Sequence, residues 1–208
     1  MNHYFLRFGF NFFKFVEIYF NNYMAATETN MIPLGYVAPD FSLLNVVTLK
    51  EESLQTLKGE KGTVVMFICN HCPYVIHVLD QIIALSNDYQ NKGIGFIAIS
   101  SNDIVNYPQD GPDKMAELAK HKQFPFPYLY DETQSVAKAY FAACTPDFSI
   151  YDADLKGIYR GQLDGARPKN DIPVTGRDIR QALDFLLDGK GLVEPQIPSI
   201  GCNIKWKN

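Results

Sequence analysis

Thr63-Val64-Val65-Met66-Phe67-Ile68-Cys69-Asn70-His71-Cys72-Pro73-Tyr74-Val75 is the stretch that decides how this chain folds. Its first six residues form an unbroken run rich in apolar and β-branched side chains, which suits a strand buried on both faces. Pro73 favours the first turn of a helix, where its missing N–H costs nothing. Beyond it, Val75, Val78, Leu79, Ile82, Ile83 and Leu85 recur at helical spacing. A buried strand therefore runs straight into a helix, with Cys-x-x-Cys at the junction. The first N–H groups of a helix lack intrahelical partners, and the macrodipole adds roughly half a positive charge there. Both favour a thiolate over a thiol. Two cysteines so spaced can also close a disulfide, so the site can cycle. His71, between them, either adds cationic charge or shuttles a proton, or else only faces solvent.

Two blander readings of the pair compete. A structural zinc site would bring a second closely spaced pair of ligands, whereas Cys144 and Cys202 are single and far apart in sequence. A pair of inert buried thiols fits poorly with a position between a strand and Pro73. No Gly-rich dinucleotide turn is present, so no cofactor is implied.

The flanking sequence alternates between strands and helices. Residues 40–44 read as a strand and 94–100 as a second buried strand. A polar loop spans 101–112, and a helix 113–121. Residues 125–130 lead into a short strand, and 133–140 form a helix with Asp131 or Thr133 as N-cap. Residues 148–151 and 157–163 are two strands around a turn at 152–157, where Asp and Gly cluster. A helix at 176–187 buries Ile179, Leu183, Leu186 and Leu187. The tail from Gly189, with Pro195 and Pro198, is expected to lie over the surface. This order predicts an α/β domain with a central mixed sheet flanked by helices: parallel strands joined by helical crossovers, and an antiparallel pair at one edge. It is the element order of a thioredoxin-like fold.

The domain reading is an atypical extension over residues 1–30, a redox domain over 31–190 and a tail over 191–208. Residues 1–23 are crowded with aromatics but interrupted by Arg7, Asn11, Lys14, Glu17 and Asn21. They are too polar for a membrane span, which needs about 20 mostly apolar residues. The segment reads as an amphipathic surface anchor, as a targeting peptide, or as an extension upstream of a working start at Met24. Hydrophobic residues make up 47% and charged residues 20% of the 208, an ordinary globular balance. A net charge of -4 argues against a sequence-blind nucleic-acid binder and against docking on an acidic membrane. Four scattered cysteines suit a reactive site in a reducing, cytoplasmic setting better than a disulfide scaffold.

The second informative stretch is Cys144-Thr145-Pro146-Asp147-Phe148. In a thioredoxin-like fold Pro146 would be a cis-proline packed against the redox cysteines, and Thr145 would offer its backbone to an incoming disulfide or peptide, strand-fashion. Cys144 would then lie near Cys69 and Cys72, either as a third exchanging thiol or as a small buried residue.

Together with Ala38-Pro39-Asp40-Phe41, the run from Pro125 to Gln134, Pro173-Val174-Thr175-Gly176-Arg177-Asp178 and Pro198-Ser199-Ile200-Gly201-Cys202, these motifs resemble the peroxiredoxin-like, or redoxin-like, branch of the thioredoxin superfamily. That branch is related to the alkyl hydroperoxide reductase and thiol-specific antioxidant proteins. The resemblance runs from about Gly35 to the end and implies thiol-based oxidoreductase or antioxidant activity. It implies two different nucleophiles. Thioredoxins attack with the first cysteine, here Cys69, and resolve with the second, Cys72. Typical peroxiredoxins carry Thr-x-x-Cys and attack with the second, here Cys72. They also need an arginine near the thiolate, for which Arg167 and Arg160 are candidates. The expected partners are a disulfide or hydroperoxide substrate and an external thiol reductant, the thioredoxin or glutathione system. A redox sensor or binding module without turnover is the non-enzymatic alternative.

Overall fold

In the computed structural model, residues 26–190 and 195–208 are described. The readings of residues 1–23 and of Met24 lie outside them. In chain order the strands are β1 (Ala26–Glu28), β2 (Ser42–Asn45), β3 (Lys50–Ser53), β4 (Gly62–Phe67), β5 (Ile94–Ser100), β6 (Tyr128–Tyr130), β7 (Cys144–Thr145), β8 (Asp147–Asp152), β9 (Gly157–Gly161) and β10 (Ile200–Asn203). The helices are α1 (Leu54–Leu57), α2 (Pro73–Tyr89), α3 (Pro112–His121), α4 (Ser135–Ala139) and α5 (Arg177–Leu187).

The apolar run is β4, an interior strand buried along its whole length in a seven-stranded sheet ordered β3-β2-β6-β5-β4-β8-β9. β4, β5 and β6 are parallel neighbours, reached through α2 and α3. β8 and β9 form the expected antiparallel hairpin at one edge. The sheet is thus mixed, as the alternation of elements requires. Its period-two geometry divides the core between its two faces. Val64, Met66 and Ile68 point towards α2, α3 and α5, whereas Val65 and Phe67 pack with Leu54, Ala137 and Tyr140 on the other side.

Three details depart from the sequence reading. A second antiparallel edge exists, because β3 pairs with β2. Its sequence, Lys-Glu-Glu-Ser, carries charge that keeps an exposed edge from pairing with other chains, and no hydrophobic alternation announces it. α4 starts at Ser135, with Gln134 in the left-handed region as its N-cap. Asp131 nevertheless serves the helix from a distance, since its Oδ2 accepts from the Ala137 N–H at 2.9 Å.

The third departure concerns the tail, which is not a surface strap. β10 is the centre of a second, three-stranded antiparallel sheet, with β1 on one side and β7 on the other. Its flanks are tied to the body. Gln162 N–H donates to Ile197 O at 2.8 Å, Ser199 Oγ to Gly161 O at 2.6 Å, and Lys205 N–H to Asn102 Oδ1 at 2.8 Å. Gly201 permits the close approach of β10 to β7, because a Cβ there would collide with the Thr145 carbonyl.

Arg160, 2% exposed, ties three parts of this edge together. Its guanidinium donates to Asn30 O at 2.8 Å, Ser149 Oγ at 2.8 Å, Phe141 O at 3.0 Å and the buried Asp147 carboxylate at 3.1 Å. Burial raises the Asp147 pKa and the arginine opposes it. Removing one partner of such a pair strands the other charge. Arg160→Ala is therefore expected to lower stability in urea unfolding by about 3–5 kcal/mol. A loss below about 1 kcal/mol, the scale of an exposed ion pair, would contradict this account.

Candidate active site

The junction read from the sequence is built as expected. β4 ends at Phe67, Cys72 is the N-cap of α2 and Pro73 occupies its first turn. The Thr145–Pro146 peptide is cis. Thr145 lies against both sulfurs: its Oγ1 is 3.4 Å from Cys69 Sγ, and its carbonyl oxygen 3.1 Å from Cys72 Sγ. Both cysteines are buried, at 1% and 0% exposure.

The two sulfurs sit in opposite electrostatic settings. The thiols of Cys202 and Cys69 donate towards Cys72, and the backbone N–H groups of Val75 and Cys202 bear on it; together they lower its pKa, while burial opposes them. No strict side-chain cap bond closes at this N-cap. As a neutral thiol Cys72 donates to the Thr145 carbonyl, a bond that its thiolate gives up. Four donors against one acceptor tip the sulfur towards the thiolate. Cys69 is pushed the other way, first by its thiol hydrogen bond to Cys72, then by burial and by the Asp110 carboxylate. The surroundings thus push the Cys72 pKa down and the Cys69 pKa up, so that of the two sulfurs Cys72 is the one favoured as thiolate.

His71 is held rather than free. Its Nδ1 lies 2.6 Å from Asp110 Oδ2, and its ring stacks on Tyr107 at 5.4 Å between centroids. Asp110, wholly buried, also accepts from the Asn70 N–H at 2.8 Å and from Asn102 Nδ2 at 2.8 Å. With the carboxylate as acceptor, the proton of His71 sits on Nδ1. Ligand atoms of Cys69, His71 and Asp110 lie within 4.8 Å of one another, close enough to share a metal ion. The hydrogen bonds just described already occupy both Asp110 oxygens. Nothing in the sequence around Asp110 marked it, since its partners come from Asn70, His71 and Asn102.

The remaining candidates are dispersed. Cys144 is next to Thr145 on a strand and so points to the opposite face, where its Sγ lies 3.6 Å from both Thr29 Oγ1 and Pro146 O. Burial, the nearby Asp147 charge adding to it, pushes the Cys144 thiol up to about 12. Arg167 borders a narrow cleft with Pro146, Tyr74 and Ile200. Its guanidinium donates to Asp164 O, Ala166 O and Gln162 Oε1 at 2.6–2.7 Å. The sulfur found beside Cys72 besides Cys69 is Cys202, brought there by β10.

Residues 34–162 match the AhpC/TSA family. The chain belongs to that family. No curated protein matches it significantly. Among solved structures, it is similar to an uncharacterized conserved protein from Geobacillus kaustophilus, with 58% identity over 88% of this chain and 97% of that one, and a TM-score of 0.87. A hypothetical protein from Sinorhizobium meliloti 1021 shares 42% identity over 87% of this chain and 98% of that one, with a TM-score of 0.85. Peroxidoxin BcpB from Mycobacterium tuberculosis shares 17% identity over 76% of this chain and 98% of that one; its TM-score of 0.57 speaks to the fold alone. As an AhpC/TSA protein the chain has the thioredoxin-like fold. Among the described residues no helix is long and apolar enough to cross a membrane.

The lowered pKa of Cys72 has a direct consequence for reactivity. A free thiol with a pKa of about 8.5 reacts about tenfold faster for each pH unit gained below that value. Alkylation of Cys72 by iodoacetamide, followed by peptide mapping, is expected to stay nearly flat between about pH 5 and pH 8. Linkage has the same sign: with the native pKa below the unfolded one, the stabilisation from the thiolate is complete above about pH 8.5 and fades as pH falls towards the native value. A rate climbing in step with hydroxide would show that Cys72 holds its proton.

Proposed function

We propose that this AhpC/TSA protein is a thiol–disulfide oxidoreductase that cycles a Cys69–Cys72 disulfide, with Cys72 as the attacking thiolate and Cys69 as the resolving thiol. The observation that supports this is the division of roles at the helix start: donors converge on Cys72, while the hydrogen bond to Cys72, burial and the Asp110 charge raise the Cys69 pKa.

In the first half-reaction the Cys72 thiolate attacks a substrate disulfide, forms a mixed disulfide and releases one substrate thiolate, which takes a proton from solvent. Cys69 then gives up its proton and attacks Cys72 Sγ. The mixed disulfide breaks, the second substrate thiol leaves, and the Cys69–Cys72 disulfide remains. The ring of His71 lies beside Cys69, a site where a proton can be taken up. An external thiol reductant, the thioredoxin or glutathione system, supplies the two electrons that return the pair to the reduced state. Such a cycle suits a reducing compartment, the cytoplasm. The burial of both sulfurs favours a small or extended disulfide over one held in a folded surface.

The second reading is reduction of a hydroperoxide by Cys72, through a sulfenic acid that Cys69 resolves with loss of water. Its support is that the ionised sulfur is the second cysteine of the motif, the position that attacks in peroxiredoxins. Against it, the hydrogen bonds that Arg160 and Arg167 make among the described residues go to other acceptors and none of them to Cys72.

The two cysteine variants separate the roles. Cys72→Ser is expected to lose more than about 100-fold of disulfide reductase turnover. Cys69→Ser in a Cys202→Ser background, with no thiol left beside Cys72, is expected to release one equivalent of leaving thiol from a chromogenic disulfide and then stop as a trapped mixed disulfide. Wild-type turnover in Cys72→Ser would reject the scheme. Peroxide consumption that outpaces disulfide reduction in the wild type would move the assignment to the second reading.

A further inference from the structure

The short strand β7 has one edge turned towards the sulfurs, and that edge is not open. Cys202 pairs with Thr145 and Asn203 with Cys144 in antiparallel register. An extended substrate docking on Thr145 would have to take the place that the chain's own β10 already occupies. The residue that β10 sets opposite Thr145 is a cysteine.

The fit is specific. Thr145 O is 3.1 Å from Cys72 Sγ, and Cys202 hydrogen-bonds to Cys72 through both its thiol and its backbone N–H. Gly201 has no room for a Cβ against Thr145, so the residue before Cys202 is limited to glycine by the same contact that delivers the sulfur. Thr29 N–H donates to Ser199 O at 2.9 Å, and Ile204 N–H to Ala143 O at 3.1 Å, so the strand is anchored on either side of Cys202. Cys202 is 2% exposed and belongs to the same buried cluster as Cys69 and Cys72. Cys72 therefore touches one thiol from its own helix turn and another from the far end of the chain.

We propose that Cys202 is a third redox thiol, and that β10 presents it to Cys72 as a built-in substrate. The proposal rests on the Cys69–Cys72 cycle described above and extends it. The Cys202 sulfur attacks Cys72 Sγ of the Cys69–Cys72 disulfide. The Cys72–Cys202 bond forms as the Cys69–Cys72 bond breaks, and the proton leaving Cys202 ends on the Cys69 sulfur. No net oxidation occurs and no outside reagent is needed. The product is a protein still oxidised by two electrons, with Cys69 free again and β10 covalently tied to the start of α2. The oxidising equivalent has thus moved from the helix turn to the C-terminal strand.

Disulfide mapping tests this. Reduced full-length protein is treated with one equivalent of diamide at neutral pH, quenched with N-ethylmaleimide, digested without reduction and analysed by mass spectrometry. In the wild type, the Cys72–Cys202 cross-link is expected alongside Cys69–Cys72. In Cys69→Ser, Cys72–Cys202 is expected to be the dominant intramolecular disulfide, in more than half of the molecules. In Cys202→Ser, Cys69–Cys72 is expected alone. Wild-type protein yielding only Cys69–Cys72, with Cys202 fully alkylated in both the wild type and Cys69→Ser, would overturn the proposal while leaving the two-cysteine cycle intact. A Cys72–Cys202 cross-link with no Cys69–Cys72 in any sample, Cys202→Ser included, would overturn the two-cysteine cycle and, with it, the transfer from that disulfide to Cys202, a result distinct from the preceding one. The wild-type measurement stands whether or not the variants fold.

Discussion

The site depends on one residue's backbone. Thr145 places its hydroxyl against Cys69, its carbonyl against Cys72 and its strand edge against Cys202. Three sulfurs from two distant parts of the chain are thereby referred to a single peptide unit. The position of that unit is set in turn by its neighbours. Asp147 and Phe148 begin β8, which runs beside β4 in register with Phe67 and Met66. The strand that delivers the cysteine pair and the strand that follows Thr145 are therefore adjacent in one hydrogen-bonded ladder. A shift of one residue in that register would exchange the side chains of β4 between its two differently packed buried faces, so the packing on both faces fixes the chemistry as well as the core.

Within this frame the electrostatics divide two chemically identical groups. The Cys-x-x-Cys pair shares one environment by sequence but not by contact. Asp110 approaches from the loop before α3 and lies on the Cys69 side, where its charge discourages a second anion. The helix start and two thiols lie on the Cys72 side, where they encourage one. Two thiols in contact that ionise by turns behave as one titrating unit, and a single negative charge on the pair is the state that the surroundings favour. The His71–Asp110 hydrogen bond adds to this division. It spends the histidine's Nδ1 on a carboxylate, so the imidazole is oriented beside Cys69 instead of lying over Cys72.

What could be read from the sequence was the part carried by local rules. The buried strand, the helix that follows it, the proline in its first turn and the hairpin at 147–161 all rest on periodicity and turn chemistry, and those survive in the fold. The proline after Thr145 could be placed against the cysteines because the order of elements leaves it there. The sequence was silent where a role comes from pairing across the chain. Asp110 lies in a polar loop that looks like any other, and only its burial under Asn70 and Asn102 gives it meaning. β3 is charged and lacks alternation. The tail over residues 191–208 holds two prolines and two glycines, which read as an irregular surface segment, but the hydrogen bonds that order it come from Gly161, Gln162, Asn102 and Gln134, none of them nearby in sequence. The Pro-Ser-Ile-Gly-Cys motif carried a resemblance without a mechanism. The mechanism lies in the contact between Gly201 and Thr145.

Burial then bears on the question of substrate. A thiolate 0% exposed under an ordered strand cannot meet a disulfide on a folded surface without movement, and the element that covers it is β10. β10 is short, and its hold on β7 consists of the pairing of Cys202 with Thr145 and of Asn203 with Cys144. β7 has only those two residues to offer, so releasing that edge disturbs two pairs and the Ile204–Ala143 hydrogen bond beside them and leaves the seven-stranded sheet whole. Local opening of this kind costs far less than global unfolding. An extended chain that pairs with Thr145 in place of β10 would recover the lost backbone hydrogen bonds while bringing its own sulfur to Cys72. In the proposed cycle the same strand would cover the Cys72 sulfur while it is paired and, when displaced, would leave the Thr145 edge open to an extended disulfide.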